Sequence, residues 1–187
     1  MSEILNERRK ALEEQFFANQ EKVALENLKA ESQLAKATDE LASYTTINNE
    51  RVLQGLIQHG IGTETFVAIK LVPLVLVAWA DNEIQEEERV KILSALSKHG
   101  APQGSAVYDL VSGWLDNRPT DALQSSWISF MKEYLPTLDT DAKGALKKEV
   151  LGSSTDVAES AGGWLFGWGA VSSEEQEVLN QLGAVFS

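Results

Sequence analysis

Apolar residues recur at helical spacing along the first part of the chain. Residues 3–37 contain no Gly or Pro and are rich in Glu, Lys, Leu, Ala and Gln, which are good helix formers. At about 100° per residue, a set of apolar side chains falls in one narrow stripe along this predicted helix. The stripe consists of Leu5, Leu12, Phe16, Val23, Ala30 and Leu34. The pattern predicts a single long helix that serves as an arm or a docking element.

Polar residues interrupt the stripe of this predicted arm. Asn19 and Asn27 lie within it, and a strict coiled-coil heptad fails because Arg9 and Glu26 would occupy seam positions. The stripe still predicts a docking surface for a protein partner. It also allows two arms to pair, which would give a homodimer through residues 5–34.

Charge changes along the chain where the arm ends. Residues 3–37 hold 7 acidic and 6 basic residues, so the remainder carries −11 of the total net charge of −12. The polar and β-branched segment 38–49 is predicted to be a connector, or a short helix with loops. We therefore divide the chain into an N-terminal helical arm and connector, 1–45, and an all-helical domain, 46–187.

The body of the chain is predicted to consist of successive helices that end at glycines or at prolines. The predicted helices cover 50–59, 63 to about 80, 85–99, 102–116, 120–134, 139–151, 155–161 and 173–186. Pro73 lies inside the second of these, where it either kinks the helix or restarts it in a first turn. The run 74–79 also suits a buried strand, but no other strand-like run is present to pair with it. The fold class is therefore predicted to be all-α, a multi-helix bundle.

The most hydrophobic run of the sequence is too short to predict a membrane span. It covers 66–80, 15 residues interrupted by Lys70, whereas a spanning helix needs about 20 apolar residues. Residues 1–10 are charged and no apolar core follows them, so no secretory signal is predicted. We expect a soluble cytoplasmic protein.

Composition excludes several function classes. The chain has 28 acidic and 16 basic residues, a balance that argues against a nucleic-acid binder. Without cysteine there are no disulfides, thiolate chemistry or Cys-ligated metal centres. The two histidines, His59 and His99, each precede a glycine, and we expect them in last helical turns capped by that glycine. Only carboxylate-plus-metal chemistry would remain to an enzyme, so no enzymatic activity is predicted.

Carboxylates are concentrated just after the apolar run, with five of them in eight residues. They are Asp81, Glu83, Glu86, Glu87 and Glu88. Such a density of oxygen ligands suits Ca²⁺, Mg²⁺ or Mn²⁺, and we take Asp81 and Glu83, with Glu87 or Glu88, as candidate ligands. The alternative is a solvated helix start, in which first-turn acids interact favourably with the helix dipole. In that case there is no cofactor.

A second segment repeats the acidic helix start. Residues 84–88 align with 171–175: in each, an apolar residue precedes a helix start with an acidic first turn. Ser172 and Glu175 have the spacing of a capping box. Glu174 and Glu175 could join a metal site only if the two segments pack face to face. Between them, the Gly- and aromatic-rich loop 162–169 matches no phosphate-binding pattern. Its aromatic residues are expected to fill the core, and the alternative is an exposed anchor for a partner.

The residues Ala78-Trp79-Ala80-Asp81-Asn82-Glu83-Ile84, followed by Glu87-Glu88, resemble the signature of the TerB-like family. That family includes tellurite-resistance proteins and the N-terminal region of some membrane-bound DnaJ co-chaperones. The resemblance extends over roughly 50–187, and 171–175 resembles the second copy of the family's signature. It implies a helical bundle of two related halves, a divalent cation at the acidic helix starts, and a link to tellurite or stress responses.

Two positions depart from the family pattern. Asn82 stands where the family has Gly, and Asn also adopts left-handed backbone conformations. Residues 168–170 stand where the second copy would carry its Asp.

The arm carries a resemblance of its own. Residues 6–16 are similar to the opening of the small ATP synthase inhibitor zeta subunit of some bacteria. This similarity implies a different function, that of a regulatory or structural protein that binds its partner through the N-terminal helix and needs no metal.

Overall fold

The computed structural model describes residues 2–161 and 171–187, and these residues form helices and loops with no strand. The α-helices of this part of the chain are α1 (Ser2–Thr45), α2 (Glu50–Gln58), α3 (Val72–Ala78), α4 (Glu86–Lys98), α5 (Ala106–Asp116), α6 (Asp121–Tyr134), α7 (Thr140–Ala161) and α8 (Ser173–Gly183). Short 3₁₀ helices occupy Phe66–Lys70, Leu135–Thr137 and Ala184–Phe186. The prediction of an all-α, multi-helix bundle is confirmed. None of the described helices combines the length and the apolar character needed to cross a membrane.

Helix α3 lies at the centre of the bundle. Its side chains are buried on nearly every side, and it packs against α4, α5, α6, α7 and α8. Pro73 lies in its first turn, where the missing N–H costs no helical hydrogen bond, so of the two predicted alternatives the helix restarts here rather than kinks. The run 74–79 is helical rather than extended, as predicted.

Glycines end two of the helices as the sequence predicts. Gly60 and Gly100 have φ values of 81° and 76°, in the left-handed region that glycine enters without a steric penalty. His59 and His99 are the C-cap residues of α2 and α4. These turns reverse the chain, and each closes with a hydrogen bond from the residue after the glycine to a carbonyl of the last helical turn.

Helix α1 continues further than the sequence predicts. The prediction of a connector over 38–49 is wrong for residues 38–45, which are the last two turns of α1 and part of the core. Leu41 is fully buried, and the buried hydroxyls of Thr38 and Thr45 donate to the carbonyls of Leu34 and Leu41. These intrahelical bonds let β-branched polar residues pack against α2 without an unsatisfied polar group. The helix ends where Thr46 adopts a φ of 63°.

Helix α7 is one element of 22 residues, so the predicted break between 151 and 155 is wrong. Gly152 costs about 1 kcal/mol of helix propensity, but contacts along the length of α7 outweigh that cost. Val150 and Val157 are buried, and α7 packs against α3, α4 and α8. The hydroxyl of Ser154, buried in the same face, donates to the Val150 carbonyl at 2.8 Å.

Two tryptophans donate hydrogen bonds that link separate elements of the core. Trp127 is fully buried and its Nε1 donates to the Ile69 carbonyl at 2.8 Å. Trp79 Nε1 donates to the carbonyl of Trp114 at the same distance, which joins the end of α3 to α5. The predicted core-plugging loop 162–169 lies outside the described residues.

Candidate functional site

The acidic segment after α3 builds the start of α4 around one buried glutamate. Gln85 is the N-cap of α4, and its backbone N–H donates to Glu88 Oε2 at 2.8 Å. Glu88 is only 2% exposed, although it lies in the most acidic stretch of the chain. The buried Glu88 side chain therefore caps the N-terminus of α4, while Glu86 and Glu87 face solvent.

Helix α8 begins in the same way. The Ser172 N–H donates to Glu175 Oε2 at 2.6 Å, and the Glu175 N–H donates to Ser172 Oγ at 3.2 Å. The predicted capping box is confirmed, and Glu175 is 6% exposed. Both repeats of the acidic pattern thus bury the third residue of their helix.

The packing of the bundle brings these two helix starts towards each other. Helix α4 packs on α7 and α8 packs on α3, and the charge of Glu175 at the start of α8 acts on Glu88 at the start of α4. Burial, which disfavours the charged form, raises the pKa of Glu88 to about 7 against the opposing effect of the Gln85 N–H. The carboxylate of Glu175 raises this pKa further, and so do the charges of Asp81 and Glu87.

The turn between α3 and α4 positions two more of the predicted ligands. Asp81 and Glu83 are exposed, and Asp81 Oδ1 accepts a hydrogen bond from the Glu83 N–H at 3.1 Å. Between them, Asn82 has a φ of 72°, the left-handed conformation expected at this position. The turn holds Asp81 near Glu88 but leaves the Glu83 side chain in solvent.

Glu174 is not part of this arrangement. Its side chain is exposed, and its carboxylate accepts a hydrogen bond from Ser173 Oγ at 2.9 Å. Hydrogen bonds from its own backbone N–H and from Ser173 hold the pKa of Glu174 below its usual value. Of the weaker predicted ligand pair, only Glu175 faces the interior.

The six predicted ligands therefore do not assemble into one site. Within 2–161 and 171–187, no three His, Cys, Asp or Glu side chains are arranged to hold a metal ion. The structure instead buries two of them, Glu88 and Glu175, and the charges of Glu175 and Asp81 act on Glu88. Binding of a divalent cation stays a prediction.

Sequence reasoning missed a polar network at the C-terminal end of α4, where His99 is the C-cap residue. Lys70 Nζ donates to both carboxylate oxygens of Glu149 at 3.1 Å, and His99 Nδ1 lies 3.6 Å from Glu149 Oε1. Beside this network, an apolar cavity of about 300 Å³ lies between α6 and α7. The lone Lys70 in the apolar run was the only sequence signal, and nothing in the sequence showed that Glu149 would meet it.

The described part of the arm exposes apolar side chains to solvent. Residues 14–33 are exposed throughout, with Phe16 at 58% and Val23 at 55%. Phe17, Leu25 and Leu28 are exposed to a similar degree, at about 100–180° around the helix from Phe16. Among the α1 side chains whose exposure the structure describes, burial begins at about Leu34.

Comparison with family models, with curated proteins and with solved structures finds no match.

Proposed function

We propose that this protein is a non-enzymatic helical interaction module that docks a protein partner through α1. One observation carries the proposal: α1, a helix of 44 residues, packs on the body near its C-terminal end, whereas residues 14–33 are exposed and include large apolar side chains. Monomeric proteins expose scattered apolar residues, but a row of them on one element marks an interaction surface.

The energetics favour a helical partner for this surface. Burial of an exposed Phe or Val side chain stabilises a complex by roughly 1.5–3 kcal/mol when the side chain becomes fully buried. Phe16 and Val23 are seven residues apart on one face, so a single partner helix reaches both. Helix-in-groove or helix-on-helix docking is the mode that such spacing suits.

Capture experiments in the source cells test this proposal. The bait is the full chain, and the test variant is Phe16→Glu with Val23→Glu, which places charges in the apolar row. Glu21→Lys is the control, because it changes an exposed charge outside that row. We expect the test variant to lose the proteins that the wild type and the control capture, including any differently tagged copy of the chain itself. Equal capture by all three baits would contradict the proposal.

The resemblances extend this proposal to a cellular setting. The TerB-like signature supports a cytoplasmic protein of the stress or tellurite response, and the zeta-like opening of α1 supports a regulatory role for the arm. The partner is then a protein rather than a nucleic acid, in keeping with the net charge of −12.

The buried acid pair supports a second candidate function, regulation by a divalent cation. A cation held by Glu88 and Glu175, with Asp81 nearby, would offset the loss of hydration that mainly raises the pKa of Glu88, and the smaller repulsion from its acidic neighbours. Because a ligand of the folded state stabilises it by mass action, the gain is about 2.7 kcal/mol at a hundredfold excess over the dissociation constant.

Thermal unfolding in matched salts tests the cation. We expect millimolar Ca²⁺ or Mn²⁺ to raise Tm more than NaCl of equal ionic strength, since screening alone acts in both salts. Asp81→Asn with Glu88→Gln is expected to abolish the excess, and Glu86→Gln, which removes an exposed acid of the same turn, is expected to keep it. Equal Tm shifts in the two salts would show that these carboxylates bind no cation and belong only to a solvated helix start.

A further inference from the structure

The face of α1 that packs on the body continues uncovered along the arm. Leu41 lies 25 residues after Phe16, which at 100° per residue places the two side chains within about 20° of each other around the helix. Leu41 is buried where α2 packs on α1, whereas Phe16 and Val23 on the same face are exposed. An existing helix–helix interface thus continues into an open one.

The sequence of α1 before Leu34 has the spacing of a coiled-coil seam on this side of the helix. Steps of four and three residues alternate from Leu5 to Ala30, and we call these positions the seam. The seam consists of Leu5, Arg9, Leu12, Phe16, Asn19, Val23, Glu26 and Ala30. It carries two charged residues of opposite sign, and they lie equally far from its midpoint between Phe16 and Asn19.

That placement of charge distinguishes the possible orientations of two paired arms. A parallel pair in register sets Arg9 against Arg9 and Glu26 against Glu26, so both charged layers repel. An antiparallel pair about the midpoint sets Arg9 of each copy against Glu26 of the other, so both charged layers attract. Arg9 and Glu26 therefore disfavour a parallel coiled coil and favour an antiparallel one.

We propose that the partner of α1 is a second copy of this chain, docked antiparallel along the seam. In this register Leu5 faces Ala30, Leu12 faces Val23, and Phe16 faces Asn19. These layers end before Thr38, where α2 already covers this face of α1. The second arm would therefore cover the part of the face that α2 does not reach. The inference rests on the proposed function, because it names the partner of the same helix face.

Charge reversal in the full chain tests the pairing. Sedimentation equilibrium is expected to show a monomer–dimer equilibrium for the wild type. Arg9→Glu and Glu26→Lys, each alone, are expected to raise the dimer Kd at least tenfold, and the two together are expected to restore it. Lys10→Glu and Glu21→Lys are the matched controls, since they make the same charge changes outside the seam and are expected to leave Kd unchanged.

Cysteine cross-linking tests the orientation, because the natural chain has no cysteine to interfere. Under oxidising conditions, a mixture of the Leu12→Cys and Val23→Cys variants is expected to form a disulfide-linked heterodimer. Neither variant alone is expected to cross-link efficiently, since in the antiparallel register each cysteine faces a residue other than its own equivalent. Self-linking of each variant without heterodimer would show parallel arms and overturn the inference.

The results also separate this inference from the proposed function. A wild type that stays monomeric at 100 µM would overturn self-association, yet a partner captured through Phe16 and Val23 would still support docking by α1. A dimer whose Kd does not respond to the two seam charges would overturn the antiparallel register. If the double variant Phe16→Glu with Val23→Glu still forms the dimer and still captures the partner, both proposals are overturned.

Discussion

Glu88 shows how an ordinary helix-capping residue acquires an unusual proton affinity. Acidic residues in the first turn of a helix usually lie in solvent, where the backbone N–H groups favour their charged form. Here the packing of α4 in the bundle removes the side chain from water, and the charge of Glu175 adds to the effect. The desolvation outweighs the hydrogen bond from Gln85, so the carboxyl holds its proton up to a pKa of about 7.

This proton affinity predicts a stability that falls as pH rises. The pKa of Glu88 is about 7 in the folded protein and 4.5 as the ordinary value. The contribution of Glu88 is therefore fully present below pH 4.5 and is lost as pH rises through 7, which changes the free energy of unfolding by up to about 3 kcal/mol. The neighbouring charges also raise the pKa of Glu88; they belong to Glu175, Asp81 and Glu87.

Chemical denaturation of the wild type and of Glu88→Gln between pH 4.5 and 8 measures this effect. The neutral amide still accepts the Gln85 N–H but carries no charge at any pH. We expect the variant to gain stability relative to the wild type as pH rises, with the difference levelling off above pH 7. Glu83→Gln removes an exposed acid from the same turn and controls for net charge. A wild-type-to-variant difference that does not change with pH would show that Glu88 titrates normally.

At the scale of the elements, local signals predicted the helices well and tertiary packing accounts for the errors. Glycine caps after His59 and His99, the restart at Pro73 and the capping box of α8 all follow from backbone chemistry within a few residues. The two wrong breaks lie where contacts from distant residues stabilise a helix. Thr38 to Thr45 looked like a linker because its polar composition did not show that α2 would cover Leu41.

The candidate site shows the same division between local and distant information. The sequence singled out both acidic helix starts, yet it did not show which of their carboxylates would be buried. Helical geometry sets the third residue of each helix towards the N-cap, and only the packing of α4 on α7 and α8 on α3 then turns Glu88 and Glu175 inward. The ion pair of Lys70 with Glu149 was beyond sequence reasoning, because it joins residues 79 positions apart.

At the scale of the whole molecule, the division between arm and body follows from where α1 becomes buried. Residues 14–33 contribute exposed surface, whereas Thr38, Leu41 and Thr45 belong to the core. A boundary at residue 46 would therefore cut through the packed interface of α1 with α2, and a boundary near residue 34 would leave it whole.

Two truncations are expected to separate these roles. A chain of residues 34–187 keeps the packed end of α1, so we expect its Tm to lie within about 2 °C of that of the full chain in dilute solution, where the arms are unpaired. A chain of residues 46–187 loses Leu41, whose removal from the core alone costs about 2–5 kcal/mol, so its Tm is expected to fall by ten degrees or more. Calorimetry of the three chains measures both effects. Equal melting temperatures for the two truncated chains would show that the end of α1 adds nothing to the core, and a large loss on removal of residues 1–33 would place the arm within it.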